Sequence, residues 1–294
     1  MMRAAWAIAA SLYLAAASPA AAGEDCFSAG RTAPGSSWRS LSRGLEVRDF
    51  RIEYGKGGYA EMAAVRIDPA LFRVRLRWQV KEASSPAAAA PEVARRSGAA
   101  VVVNAGYFGT DGRPLGFFMS GGKLYNRRLL YRGRRRALHL GAVFFVRAAG
   151  GGLGITVREK FSPEGVREAF QAGPYLVRSG RPEAGLEAYR EYHRKARRTV
   201  LALGRRGSLL VAVGGMKGRG ISWCELQAFL ARPEEEGGLG AAEAMNLDGG
   251  MSSQLYIRAK GYERHLEGRN VPAFILIVPR AAGAGSQTGQ KKEG

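Results

Sequence analysis

The chain has 294 residues, 46% of them apolar, enough for one large globular domain or two small ones with a sizeable core. With only two cysteines, no Cys-x-x-Cys pair and three scattered histidines (His139, His193, His265), it lacks the grouping that a zinc site needs. The formal charge of +20 is carried mainly by arginine, clustered at Arg127 to Arg136, Arg194 to Arg198 and Arg205 to Arg206, and such a field attracts polyanions.

The N-terminus reads as a secretory signal peptide over residues 1–22. Arg3 supplies the positive region, Ala4 to Ala17 the apolar run, and Ala20 and Ala22 the small residues of a cleavage site. That run is too short to span a bilayer comfortably, and no later stretch is long and apolar enough to be a transmembrane helix. The expectation is an exported protein, periplasmic or extracellular, starting near Gly23 and without stable membrane insertion. Gly23, Glu24 and Asp25 lack the small, uncharged pattern of a lipoprotein signal before Cys26. Cys26 and Cys224 leave open one disulfide tethering the N-terminus or two free thiols. For an exported chain, the polyanion implied by the charge is an anionic glycan or a sugar phosphate rather than nucleic acid. The main arginine cluster also has only Tyr125 and Tyr131 as aromatic neighbours, too few for a base-stacking surface.

Residues 23–44, rich in Gly, Ser, Pro and Thr, read as an irregular lead-in. Strands are expected at Leu45 to Tyr54, Tyr59 to Ile67 and Phe72 to Val80, the last with Phe72, Val74, Leu76 and Trp78 alternating with Arg73, Arg75, Arg77 and Gln79. A helix fits within Pro86 to Ser97, followed by an apolar strand from Ala99 that ends at Asn104. A Gly-rich hairpin-like stretch spans Asp111 to Gly122. Strands follow at His139 to Arg147 and Ile155 to Arg158, then a short helix at Pro163 to Phe170, with Pro163 and Glu164 as its start signal. Gly173-Pro174 turns into the next strand, and Arg178 to Arg194 is expected to be a loop. Val200 to Leu203 and Ser208 to Val213 form a hairpin. Ser222 and Glu225 make a capping-box pattern opening a helix with Leu226, Phe229 and Leu230 on its buried face. Ala241 to Ala244 reads as a helical turn, Met245 to Leu247 and Leu255 to Arg258 as strands, and Phe274 to Val278 as a strand inside a sheet. Residues 281–294 read as a disordered tail. The whole is expected to be α+β: a single domain over residues 45–280, with a large mixed, mostly antiparallel sheet core and a few flanking helices.

Two stretches share one logic. In Asn104-Ala-Gly-Tyr-Phe108 and in Asn246-Leu-Asp-Gly-Gly250-Met-Ser-Ser253, an apolar strand delivers a polar side chain to a glycine turn, so the two strand ends could meet in one pocket. In the second, Asp248 is a carboxylate on a bend. The N–H groups of Gly249 and Gly250 and the hydroxyls of Ser252 and Ser253 are donors for an anion. The same residues also suit ordinary side-chain-stabilised turns, and capping is the stronger reading of Glu225.

Together with Gln171-Ala-Gly-Pro174, Arg198-Thr199, Ile221-Ser-Trp-Cys-Glu225 and Arg269-Asn-Val-Pro272, these two stretches resemble the phosphodiester glycosidase family, in the family's order and over most of Ala99 to Val278. The family's Asn-Gly-Gly-Phe-Phe motif has Ala105 and Tyr107 here. The resemblance implies hydrolysis between a sugar's anomeric carbon and a phosphate, releasing sugar and a phosphomonoester in a cell-envelope or extracellular glycan; no cofactor and no metal site are expected, and the need for a metal ion is left open. It implies Asp248 as the catalytic carboxylate, Glu225 as a second one in reserve, Arg198 on the phosphate and Asn104 on sugar hydroxyls. Gly106, Thr199, Asn246, Gly249, Gly250, Ser252 and Ser253 complete the substrate-binding set. The competing reading is a non-catalytic binding or assembly protein for an anionic exopolysaccharide or wall glycan. The oligomeric state is left open.

Overall fold

The computed structural model describes residues 31–32, 37–54, 58–79, 89–130 and 140–280. The signal peptide, Cys26, Pro86, Tyr131 to Arg136, His139 and the C-terminal tail lie outside the described residues. Every strand pair among the described residues is antiparallel, so the core is three antiparallel sheets rather than one mixed sheet. The α+β, single-domain expectation holds.

The largest sheet runs, in spatial order, Arg31–Thr32, Leu45–Tyr54, Gly58–Ile67, Leu209–Gly218, Arg198–Gly204, Ala241–Asn246, Tyr175–Arg178 and Arg181–Pro182, with Arg39–Ser42 also on Leu45–Tyr54. Two short strands therefore lie in the stretch expected to be irregular. A second sheet runs Leu153–Val157, Ala142–Arg147, Val166–Ala172, Phe118–Ser120 and Lys123–Asn126. A third runs Tyr262–Leu266, Leu255–Ala259, Val101–Asn104, Ala273–Pro279 and Phe72–Trp78.

Period-2 alternation explains the layering. Leu209, Val211 and Val213 face a central core shared by all three sheets, with Val74, Val103, Phe144, Phe170 and Ile275. Leu210 and Ala212 face the other way, onto helix Trp223–Ala231. The third sheet's outer face, with Val102, Phe274 and Leu276, is covered by helix Ala90–Ser97. The rings of Phe144, Phe170, Phe229 and Phe274 are fully buried, each contributing roughly 1.5–3 kcal/mol relative to exposure.

Two helical expectations fail for the same reason. Pro163 to Phe170 carries a local helix start, yet Gly165 turns the chain at φ +64° and Val166–Ala172 becomes a strand paired on both sides. Ala241–Asn246 is likewise a strand between two partners, despite its alanines. In each case a ladder on either side outweighs a propensity of a few tenths of a kcal/mol per residue. Tyr262–Leu266 was not foreseen as a strand, because an edge strand that is polar leaves little apolar signal.

One end of the fold gathers the quoted motifs. Asn104 pairs with Phe274 near the start of Ala273–Pro279, and Asn246 pairs with Val200 near the start of Arg198–Gly204. The two polar strand ends thus meet where the large sheet abuts the third.

Candidate active site

Backbone hydrogen bonds fix the Asp248 turn on four sides. Asn246 N–H donates to Pro174 O (2.9 Å), Leu247 N–H to Thr199 O (2.8 Å), Asp248 N–H to Ala105 O (3.2 Å) and Gly250 N–H to Arg197 O (2.9 Å). Three separate motifs, one of them with its neighbour Arg197, therefore converge on three consecutive residues and the glycine two beyond. Gly106 and Gly249 are there for close approach: a Cβ on either would come within 2.9 Å of a carbonyl oxygen, of Gln171 and Arg197 respectively.

Asn104 is the brace of this corner. Its Nδ2 donates to Asp248 O (2.7 Å), and its Oδ1 accepts from Thr199 Oγ1 (2.9 Å) and from Gln254 N–H (3.1 Å). Both Asn104 and Thr199 are fully buried. Their hydrogen-bonding groups are engaged inside the protein, so they position Asp248 rather than meet sugar hydroxyls, which corrects the expected role. Gly249 and Gly250 are also corrected. The Gly249 N–H turns to the Asp248 carboxylate and the Gly250 N–H to Arg197, so neither faces an outside anion.

The Asp248 carboxylate itself is half-buried. Burial raises its pKa above the ordinary carboxylate value, against the opposing effect of the Ser252 hydroxyl, the Gly249 N–H and the charge of Arg269. Ser252 thus serves Asp248, while Ser253 is fully buried with its Oγ lacking a hydrogen-bond partner among the described residues. Asn246 donates from Nδ2 to Gly173 O (3.2 Å) and to the Tyr107 hydroxyl (3.1 Å). Its Oδ1 is buried without a partner among the described residues.

Tyr107 ties the carboxylate to the neighbouring cation. Its hydroxyl donates to Gly173 O (2.8 Å). Burial, then the Asp248 charge, raises its pKa, and the Arg198 charge lowers it. Arg198 is 8% exposed. Its Nε donates to Ile221 O (2.9 Å) and its Nη2 to Arg194 O (2.7 Å), and the guanidinium lies 5.3 Å from the ring centre of Trp223. No carboxylate pairs with Arg198 among the described residues. Burial pushes its pKa down to about 10, leaving it a cation at neutral pH. The Nε1–H of Trp223 is buried without an acceptor among the described residues.

Glu225 stands apart. The capping box forms as expected, with Glu225 N–H donating to Ser222 Oγ (3.3 Å) and Glu225 Oε2 accepting from Ser222 N–H and Oγ (both 2.9 Å). Its Oε1 is ion-paired with Lys195. With both oxygens occupied, it has the place of a structural carboxylate and not of a second catalytic one. Cys224, next to it, is disulfide-bonded.

Sequence reasoning passed over three residues of this corner: Tyr107, Trp223 and Arg269, whose guanidinium lies 5.3 Å from the ring centre of Phe108. All three lie inside the quoted motifs, and an aromatic or arginine beside a polar strand end was the available signal. No three-residue group of His, Cys, Asp or Glu fit to hold a metal occurs among the described residues.

Residues 97–278 match the family model for phosphodiester glycosidases. The fold is similar to that of the zebrafish N-acetylglucosamine-1-phosphodiester alpha-N-acetylglucosaminidase catalytic domain (TM-score 0.59, 18% identity, 84% of this chain and 88% of that one). It is also similar to a hypothetical protein from Synechocystis (TM-score 0.59, 17% identity, 84% and 64%) and to a Burkholderia pseudomallei protein (TM-score 0.50, 14% identity, 76% and 74%). At such identities the likeness speaks for the fold alone. No curated protein matches the chain. The family model covers well over half of the chain in one continuous stretch that includes every motif of the Asp248 corner, and the chain belongs to the phosphodiester glycosidase family.

Proposed function

We propose that the chain is an exported glycoside hydrolase that cleaves a sugar-1-phosphodiester, with Asp248 at the anomeric carbon and Arg198 on the phosphate. The observation that carries this is Arg198, a buried guanidinium that forms no ion pair among the described residues, whose neighbour Tyr107 also feels the charge of the half-buried Asp248. A buried, unpaired charge costs several kcal/mol unless an opposite charge arrives, and the missing partner here has the chemistry of a phosphate. Arg198 Nη1, free of protein acceptors among the described residues, and Trp223 Nε1–H are donors suited to its oxygens.

In the reaction the anomeric C–O bond breaks and its electrons leave with the phosphate, while positive charge develops on the sugar. Arg198 stabilises the departing phosphomonoester, so no strong general acid is required. Asp248 stabilises the oxocarbenium-like centre, and water adds its oxygen to the anomeric carbon while its proton passes to the departing phosphate. The support for export is the signal-like N-terminus. The described residues contain no helix long and apolar enough to cross a membrane.

The test is release of reducing sugar from a panel of hexose and N-acetylhexosamine 1-phosphodiesters, including envelope glycans, by the purified full chain and by Asp248→Asn. Turnover by the wild type that vanishes in the variant supports the proposal. Wild-type inactivity across the panel, with tight binding to one of the glycans, would favour the non-catalytic reading.

A further inference from the structure

The strand Phe72–Trp78 is the edge of the third sheet, and its free side faces the second sheet. At Leu76 that edge is closed: the N–H donates to Glu168 Oε2 (3.1 Å) and the carbonyl accepts from Ser120 Oγ (2.6 Å). Backbone groups in an antiparallel ladder point alternately toward and away from the partner strand. Val74, two residues earlier, therefore turns its N–H and C=O the same way, and there the seam opens into a cleft of about 310 Å³.

Five guanidiniums line this cleft, those of Arg73, Arg75, Arg147, Arg167 and Arg280, against a single carboxylate, Glu168. Glu168 is 2% exposed and accepts from the Leu76 N–H; of the five, Arg75 and Arg167 act on its charge, so one carboxylate faces five cations. None of the five forms an ion pair with a carboxylate among the described residues. Arg147 donates to Glu164 O and Arg280 to Pro69 O, which fixes two of the five on backbone carbonyls. Gly151 leaves room for Arg280, whose Nη2 would lie 3.3 Å from any Cβ there. The cleft runs on past Pro69, Gly150, Gly151 and Arg280 into a second hollow of about 540 Å³ that reaches Gly207.

This cleft is separate from the Asp248 corner. Asp248 hangs from Ala105, which hydrogen-bonds to Ala273 at the start of strand Ala273–Pro279. The cleft lies beside Val74 and Phe72, opposite Ile277 and Pro279 at the other end of that strand. Four to six residues at about 3.3 Å each place the two roughly 13–20 Å apart along the strand.

We propose that this cleft is a second binding site, which takes an extended segment of a polymer bearing phosphate-type groups. Several unpaired guanidiniums at the mouth of one cleft would repel each other without an anion between them, and the planar guanidinium fork matches phosphate oxygens. The length of the groove favours successive anionic groups over a single ion. A polymer held here would raise the local concentration of its own bonds at a site elsewhere on the chain. The cleft's binding does not depend on whether Asp248 is catalytic.

The experiment is titration calorimetry of the full chain with linear polyphosphate, inorganic phosphate and polygalacturonate at two salt concentrations. Wild type and Asp248→Asn are expected to bind polyphosphate alike. Arg73→Gln/Arg167→Gln, both exposed positions, is expected to weaken that binding by at least ~10-fold, because two charge-assisted contacts are lost. Arg127→Gln/Arg128→Gln removes the same charge from exposed positions just past strand Lys123–Asn126, at the end where Asn126 bonds to Pro114 and away from the cleft, and is expected to change the affinity less than ~3-fold, since distant exposed charges are screened. Unchanged thermal unfolding of each variant confirms that its fold is intact. Equal losses in the two double variants would overturn the proposal, leaving only the general field of a chain with charge +20. Inorganic phosphate binding as tightly as polyphosphate would overturn the extended ligand, and tighter binding of polygalacturonate would overturn the phosphate class.

Discussion

Glu225 acts electrostatically on Arg198 and Asp248 on its neighbour Tyr107, yet their surroundings give the two carboxylates opposite roles. The helix start around Glu225 meets every demand of its carboxylate: a hydroxyl, a backbone N–H and the ammonium of Lys195. The turn around Asp248 meets only part of the demand. One hydroxyl and one N–H reach it, Arg269 acts at a distance, and burial dominates, keeping its pKa above the ordinary range. A carboxylate whose partners are all present stabilises its own element. One held short of partners has affinity left for something that is not yet there.

The sharpest way to break this contrast is Asp248→Asn. Turnover on a sugar-1-phosphodiester is expected to fall by at least ~10³-fold, equivalent to about 4 kcal/mol of transition-state stabilisation. The stability effect has the opposite sign. Because the folded pKa of Asp248 is raised, its contribution to stability is full below the unfolded pKa and is lost as pH rises through the folded one. At neutral pH the wild type carries that loss and the amide does not. Asp248→Asn should therefore melt at the same temperature as the wild type or higher at neutral pH, with the advantage shrinking on acidification. Melting curves at several pH values read this directly, and a variant that melts lower at neutral pH would make Asp248 a structural turn residue.

Arg198→Gln comes next. A loss of ~10²-fold on the phosphodiester is expected, in the range found when one donor to a developing anion is removed. The loss should be smaller on a neutral aryl glycoside of the same sugar, provided the enzyme accepts both. Equal losses on the two substrates would remove Arg198 from the phosphate.

Asn104→Ala tests the brace. It strips partners from Asp248 O, Thr199 Oγ1 and the Gln254 N–H at once, and a destabilisation of about 1–3 kcal/mol in urea unfolding is expected. Loss of activity with unchanged stability would instead return Asn104 to the sugar. Glu225→Gln should have the smallest effect. About 1 kcal/mol of stability is expected to go with the cap, with kcat within ~3-fold of wild type, since the group touches no reacting atom. A collapse of kcat at intact stability would restore the second catalytic carboxylate.

Much of this molecule was legible without coordinates. Leu45–Tyr54 and the Arg198–Gly204 and Leu209–Gly218 hairpin follow from apolar runs and turn residues, and the Ser222–Glu225 box follows from the spacing of two side chains. These are short-range signals, set by sterics and hydrogen bonds within a few residues. The six motifs in order likewise named the family before any distance was known.

What the sequence could not decide was which partner each polar group would find. Asn104 and Asn246 both end apolar strands, and nothing local says that the first is fully satisfied while the second keeps a buried Oδ1 unpaired. The strands at Val166–Ala172 and Ala241–Asn246 were hidden in the same way, because their ladder partners are remote in sequence. A backbone or side-chain hydrogen bond is set by position in space, and only the packing of the three sheets brought residues 104, 174, 199 and 248 to one corner. It also left Arg198 there, buried and with no ion pair among the described residues.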